Sequence, residues 1–444
     1  MYEAFFALGG VVYGLIFGAI PVTGFNKALI LLFPVIGLFP DQYAAIAFVV
    51  GAHAAVPVSD AFSAILLGIP GAHSSQATVL DGHPLACQGR AEEALVAAVA
   101  SSTISGVLFG SLILFSLTWF KAFVSAVTIP WLLALMILGI IGVALISNKG
   151  SHVKALLSAA AGVFIGLIGI DDAGEARFTG GWLYLENGFS IIALASGLFV
   201  LPVLIQGFSK GGVVCQVDRV KSDQIISALK HVKRCWSDVI CGGTVGAVVG
   251  MLPGLGGAVT DWFSYGLTKW RHRNETFGNG NIRGVIGTEG SNNATGAGAW
   301  VMTALFGIPG TGSMAILIGL LAQIDVDLGS QALLRDRHFF YLLAATYVLG
   351  TIFAGVLCIV LAGKIALLTR VPFRWYAPVL LILTVWANLQ WSGGWEDIAV
   401  LTIAGILGIY VERFGYFTPA MIIGFVLGPK ILTLTKQTVG LYVF

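Results

Sequence analysis

The sequence predicts an all-α polytopic membrane protein made of two inverted-topology repeats with broken helices or re-entrant hairpins, about 10 to 14 hydrophobic segments in all. Three observations carry this. Of 444 residues, 57% are hydrophobic and 10% charged, where soluble domains are roughly a quarter charged. Apolar runs at 94–120, 131–147, 189–209 and 339–363 carry no charge, and each approaches the ~20 residues a helix needs to cross the hydrocarbon; barrel strands would alternate instead. Finally, "LLGIPGAH" (66–73) and "LFGIPGTG" (305–312) twice place Ile-Pro-Gly inside such a run. Proline there removes a backbone bond, and an unpaired backbone group in lipid costs several kcal/mol more, so such breaks survive only inside protein or beside a wet cavity.

Taken in order, residues 1–210 read as the first repeat, with motif hairpins over 4–81 and four spans within 94–209. No cleavable leader is expected at Met1–Phe6, which lacks a basic start. Residues 211–235 form a basic linker; Lys210, Arg219, Lys221, Lys230, Lys233 and Arg234 place this stretch in the cytoplasm. Residues 236–444 form the second repeat, with motif hairpins over 237–325 and four spans within 338–434. Charge then places the loops 81–94, 147–154 and 269–283 inside and 171–187, 325–338 and 391–397 outside. "GAIPVTG" (18–24) returns as "GMLPGLG" (250–256), each followed by a Gly-Ile-Pro-Gly; 232 residues separate Pro21 from Pro253, and 239 separate Pro70 from Pro309. The same order with opposite sidedness is the signature of many secondary transporters.

The sequence around the breaks turns small and polar. "GVIGTEGSNNATGAGAW" (284–300) gathers Thr288, Glu289, Ser291, Asn292, Asn293 and Thr295; Ser59, Asp60, Ser63, His73, Ser74, Ser75, Gln76 and Thr78 flank the earlier break. Freed carbonyls with Asn, Ser and Thr oxygens suit an alkali cation, and N–H groups at a half-helix start suit an anion. Close packing of small residues is the competing reading for 294–299. Asp60 and Glu289 are costly at membrane depth and are functional candidates. Lys27 either meets a carboxylate or snorkels, Asp261 reads as a cap or a functional acid, and His53 and His73 as hydrogen-bonded packing groups or proton carriers. The five cysteines lack metal-ligand or disulfide spacing. No phosphate loop, His-Glu-x-x-His or Gly-x-Ser-x-Gly occurs, so an enzyme is not expected; an ion or small-solute channel is the rival.

"GIPGAHSSQATVLDGHPLACQGRAEEAL" (68–95), "GAVVGMLPGLGGAV" (246–259), "GVIGTEGSNNATGAGAWVMTALFGIPG" (284–310) and "FGYFTPAMIIGFVLGP" (414–429) resemble the large membrane subunit of the tripartite tricarboxylate transporter family. The resemblance implies cation-coupled uptake of a small carboxylate across a bacterial or archaeal plasma membrane. It also implies a small four-helix membrane subunit and an extracytoplasmic substrate-binding protein as partners; a second copy in a homodimer and membrane lipid complete the set. The first break departs from the family's Pro-Gly-Leu-Gly, reading Pro21-Val22-Thr23-Gly24, which questions citrate-like specificity and leaves a stand-alone permease for another organic anion open. Substrate contacts are expected at Pro21, Thr23, Gly24, Lys27, Pro70, Gly71, His73, Ser74, Asn292, Asn293, Pro309, Gly310 and Thr311. The coupling cation, Na+ or H+, is expected at Ser59, Asp60, Pro253, Gly254, Gly256, Glu289, Ser291 and Asn292. No transition metal and no cofactor beyond Na+ are expected.

Overall fold

The computed structural model describes residues 2–21, 23–124, 128–146, 152–170, 174–202, 204, 223–252, 256–329, 333, 336–369, 373–392 and 394–443. The first half runs through α1 (Tyr2–Ala19), α2 (Gly24–Leu32), α3 (Gln42–Leu67), α4 (Thr78–Cys87), α5 (Ala91–Val124), α6 (Ile129–Ile146) and α7 (His152–Gly166). A two-stranded antiparallel ladder, β1 (Gly169–Ile170) with β2 (Ala176–Arg177), precedes α8 (Leu183–Glu186) and α9 (Ile191–Ala195); α9 continues as a wider π turn over Ser196–Val200. The second half contains α10 (Asp223–Arg234), α11 (Trp236–Gly250), α12 (Gly256–Arg271), α13 (Ile282–Phe306), α14 (Gly312–Ala322), α15 (Arg337–Val360), α16 (Ala362–Leu368), α17 (Phe373–Ser392), α18 (Glu396–Arg413) and α19 (Thr418–Val443). Among the described residues, α1, α3, α15 and long stretches of α5 and α19 are apolar and long enough to cross a membrane.

Local chemistry sets the ends of the two central helices. Asp41 caps α3 by accepting from the Ala44 amide at 2.8 Å, and Asn281 caps α13 by accepting from Arg283 at 3.0 Å. Each helix then stops at a glycine in the left-handed region, Gly68 (φ 65°) and Gly307 (φ 62°), where a Cβ is penalised. Ile-Pro-Gly follows both, since proline cannot extend the helix. The structure narrows the expected inner loop at 81–94: residues 81–87 belong to α4 and only 88–90 connect it to α5. Pro84 forfeits one bond, to Leu80, and the Gln88 amide closes the turn on the Pro84 carbonyl at 3.0 Å.

The two halves share a packing register. Gly10, Gly14 and Gly18 of α1 lie on α3 so closely that an added Cβ would come within 1.9, 2.4 and 2.6 Å of the Phe48, Ala52 and Val56 carbonyl oxygens. Gly242, Gly246 and Gly250 of α11 do the same on α13, at 2.2, 2.3 and 2.3 Å from the carbonyl oxygens of Gly287, Ser291 and Thr295. The stripes are related by the offset of Pro21 to Pro253, and their partners by that of Pro70 to Pro309. Such stripes bring backbones together where apolar burial against lipid offers little drive.

The halves also interleave. Helix α5 runs along α13 while α15 runs along α3; α2 packs on α14 while α12 packs on the turn His73–Ser75. Helix α7 lies against α19, and α18 against the π turn after α9. At the predicted outer face, Tyr184 donates to the Asp397 carboxylate; burial first, then Asp397, holds the Tyr184 phenol above its usual range.

Candidate functional site

Each break is built into its own half by close backbone contact. A Cβ on Gly71 would lie 2.7 Å from the carbonyl oxygens of Asp60 and Gly18, so this glycine seats the break between α1 and α3. Gly310, its register partner, would meet the Ala299 Cα at 2.8 Å. The hydroxyl of Thr23 reaches the carbonyl of Phe17, which Pro21 leaves without its amide donor, and, at 2.8 Å, that of Ile20, which also accepts the Thr23 amide. Gly24 (φ 57°) brings this bend against Gly71 and Ala72, so the two breaks of the first half touch. In the second half Thr303 donates to Ala299 O (2.8 Å) and accepts from the Gly310 amide (3.3 Å), and Thr311 caps α14 by accepting from Met314 (3.2 Å).

After Gly71, donors at residues 74 to 78 meet acids from three helices. The Ser74 hydroxyl donates to Asp60 Oδ2 at 2.8 Å, the Ala77 amide to Asp261 Oδ2 at 2.5 Å, and the Thr78 hydroxyl to Glu289 Oε1 at 2.6 Å. All three acids are at most 1% exposed. The amide of Asn292 joins two of them: its Nδ2 donates to Asp60 Oδ1 (3.1 Å), Glu289 Oε2 (3.3 Å) and the Pro57 carbonyl (2.9 Å). Among the described residues each of these acids is met by neutral donors, and none pairs with Lys, Arg or His. Isolated charge in so dry a place is expensive, so these acids favour protonation or a bound cation.

The remaining expected site residues divide by surroundings. Asn293 is saturated as a brace: its Nδ2 donates to Ala54 O (2.9 Å) and Thr351 Oγ1 (3.2 Å), and its Oδ1 accepts from Ser102 (2.7 Å). Ser59 and Ser291 donate back to carbonyls of their own helices. Lys27 is buried on α2, where its neighbour Asn26 bonds Ser313 in the first turn of α14. Pro70 and Ser74 are half-buried, Pro21, Gly71, Pro309 and Gly310 buried. Gly256 opens α12; Pro253 and Gly254 lie outside the described residues, as does the side chain of His73. His53 occupies the register position of Asn292 and is packed between Phe25 and Trp300, accepting the Trp300 indole N–H at 2.9 Å.

Asp261 reads from the sequence as a cap or a functional acid, while Asp81 and Asp238 were not expected as site or latch residues. Asp261 joins the acids through a contact 184 residues away in the chain. Asp81 accepts from the amides of Gly278 (2.8 Å), Gly280 (3.0 Å) and Asn281 (2.8 Å) and from Tyr265 Oη (3.0 Å), tying α4 to the loop before α13. Asp238, buried at the base of α11, takes Arg271 (3.0 Å), His272 (2.9 Å) and Arg283 (2.8 Å). The last two are binding latches between elements; their acids sit beside turn and basic residues, but pairing over such distances leaves no local signal.

The tripartite tricarboxylate transporter TctA family matches the chain over residues 4–423. A relative from Agrobacterium vitis, described as an uncharacterized 52.8 kDa protein in the TAR-I ttuC' 3'region, is 27% identical over 423 residues, covering 95% of this chain and 84% of its own. A second from the same organism, an uncharacterized protein in the TAR-II ttuC' 3'region, is 28% identical over 185 residues, covering 41% of this chain and 76% of its own. No solved structure matches. The chain belongs to the tripartite tricarboxylate transporter TctA family, a family of transporters and not of enzymes.

Proposed function

We propose that this family member is a secondary active transporter that imports a small carboxylate, of di- or tricarboxylate type, coupled to a cation gradient by alternating access. The observation that supports this best is the unequal charge around the two breaks. The first is ringed by Asp60, Glu289 and Asp261 with no cationic partner among the described residues. The second opens on the start of α14, whose first-turn N–H groups have no partner within the helix and which α2 covers with Asn26 beside Lys27.

On this reading the coupling cation sits with Asp60, Glu289, Asn292, Ser74 and Thr78. The substrate carboxylate sits at Pro309-Gly310-Thr311 with Lys27, where a helix start contributes ~0.3–1 kcal/mol to an anion. The shared register of the stripes supports a duplicated design, and the loop charges support opposite orientation of its halves. The basic stretch 210–234 then faces the cytoplasm of a cell whose plasma membrane holds the chain, with a small membrane subunit and an extracytoplasmic binding protein as partners. Cation binding favours the conformation in which the second break can take the substrate.

A thermal-shift screen of carboxylates with and without sodium tests this, since a ligand that binds only the folded state raises its stability. A di- or tricarboxylate is expected to raise Tm, and more so with the cation present. No shift with any carboxylate under either condition would sink the substrate class.

A further inference from the structure

Asp261 differs from its two acidic neighbours. It lies in the second turn of α12, is 1% exposed, and uses Oδ2 to accept the Ala77 amide of the other half. Its Oδ1 is buried and makes no hydrogen bond of ordinary geometry among the described residues, with the Gln76 amide the other donor near the carboxylate. Asp60 and Glu289, by contrast, each accept on both oxygens and share the Asn292 amide. The charged groups facing Asp261 from the elements packed around α12 are Glu289 of α13 and Asp60 of α3, both of its own sign. Among the described residues, no three His, Cys, Asp or Glu side chains converge closely enough to share one metal ion. Asp261 is therefore not a third ligand to an ion held between Asp60 and Glu289.

We infer that Asp261 provides a second monovalent-cation position, separate from the Asp60–Glu289 position and filled by a sodium ion or a proton at its Oδ1. This rests on the reading above in one respect, that the Asp60–Glu289 position takes the coupling cation. An unpartnered carboxylate oxygen at this depth is several kcal/mol less stable than a neutralised one; a proton removes that cost with no further ligand, whereas a sodium ion does so only with additional oxygens from water or neighbouring carbonyls. The Ala77–Asp261 bond spans the two halves, so a movement of one half against the other opens or closes this position. Two cations per cycle also balance the charge of a dicarboxylate substrate.

The test uses the purified full chain in detergent and needs no substrate. Tm is followed against sodium chloride, with choline chloride holding ionic strength, and separately against pH at fixed sodium. Asp261→Asn keeps an oxygen for the Ala77 amide and removes the charge. It is expected to lower the slope of Tm against log activity of the ion bound at Asp261 by one ion's worth, which is about half where both positions take that ion and nearly all of it where the Asp60–Glu289 position takes the other. The titration in which the slope falls identifies the occupant as sodium or proton. Wild-type slopes in both titrations of Asp261→Asn overturn the inference. Should that variant not yield monodisperse protein, wild-type stoichiometry decides: two cations per chain, counted as radioactive sodium plus protons taken up, support the second position, and one overturns it. Failure of the transporter reading is seen elsewhere, as absent carboxylate counterflow by the wild type, and leaves the slopes readable.

Discussion

Replacing Asn292 by alanine removes the amide that holds Asp60 and Glu289 together. That amide reaches Pro57 O at 2.9 Å, Asp60 Oδ1 at 3.1 Å and Glu289 Oε2 at 3.3 Å, and with two hydrogens it satisfies two of these at once. A hydrogen bond to a charged group contributes ~1.5–3 kcal/mol, so about 3–6 kcal/mol of gross interaction is lost when both hydrogens serve the acids. The cation site also loses an amide oxygen and the fixed spacing of its two acids, while water entering the gap restores part of the loss. Losing donors to the carboxylates by itself favours their neutralisation, so the weakening comes from the lost amide oxygen and spacing and concerns sodium, whose binding is expected to fall by about 1.4–2.7 kcal/mol, 10- to 100-fold. The assay is the sodium dependence of Tm in detergent at fixed pH, with size exclusion showing that Asn292→Ala stays monodisperse. Half-saturation at the wild-type cation concentration would refute the view that Asn292 joins the two acids into one site.

Other perturbations separate framework from site. Asn293→Ala, which breaks ties to Ala54, Thr351 and Ser102, should destabilise the fold by about 2–4 kcal/mol in thermal unfolding yet leave cation half-saturation unchanged. Gly246→Val adds a side chain whose Cβ alone would lie 2.3 Å from Ser291 O; it should cost about 3 kcal/mol or more, seen as lost monodisperse yield. Gly266→Ala on α12, with nothing within 4 Å, should stabilise by ~0.5–1 kcal/mol in the same assay. Asp238→Asn strands the partly exposed Arg271 and Arg283, and after discounting for solvent should lower stability by about 2–3 kcal/mol without altering cation dependence.

Much of this was legible in the sequence because proline and glycine act locally. Pro70 and Pro309 mark where α3 and α13 end, and their glycines at 68 and 307 take the left-handed turn that stops a helix. Asp60, Glu289 and Asn292 stood out by being polar in apolar surroundings, and the structure brings them together. The glycine stripes at 10, 14, 18 and 242, 246, 250 were within reach too, since they repeat at the offset of Pro21 to Pro253. Asp261 was not, because what distinguishes it from a cap is a bond to Ala77 across the two halves. Nor was the bracing role of Asn293: adjacent asparagines on a helix point about 100° apart, so one faces the acids and the other faces α5 and α15, and only packing decides which.

Coupling of carboxylate movement to a cation gradient is the property on which the proposed function turns. Carboxylate uptake into proteoliposomes holding the chain, with its partner subunits where these are required, tests it under an imposed inward sodium or proton gradient. Coupling requires concentrative uptake that collapses when the gradient is dissipated, with carboxylate counterflow at equal cation on both sides. Current through single channels without counterflow, or uptake indifferent to both gradients, would contradict it.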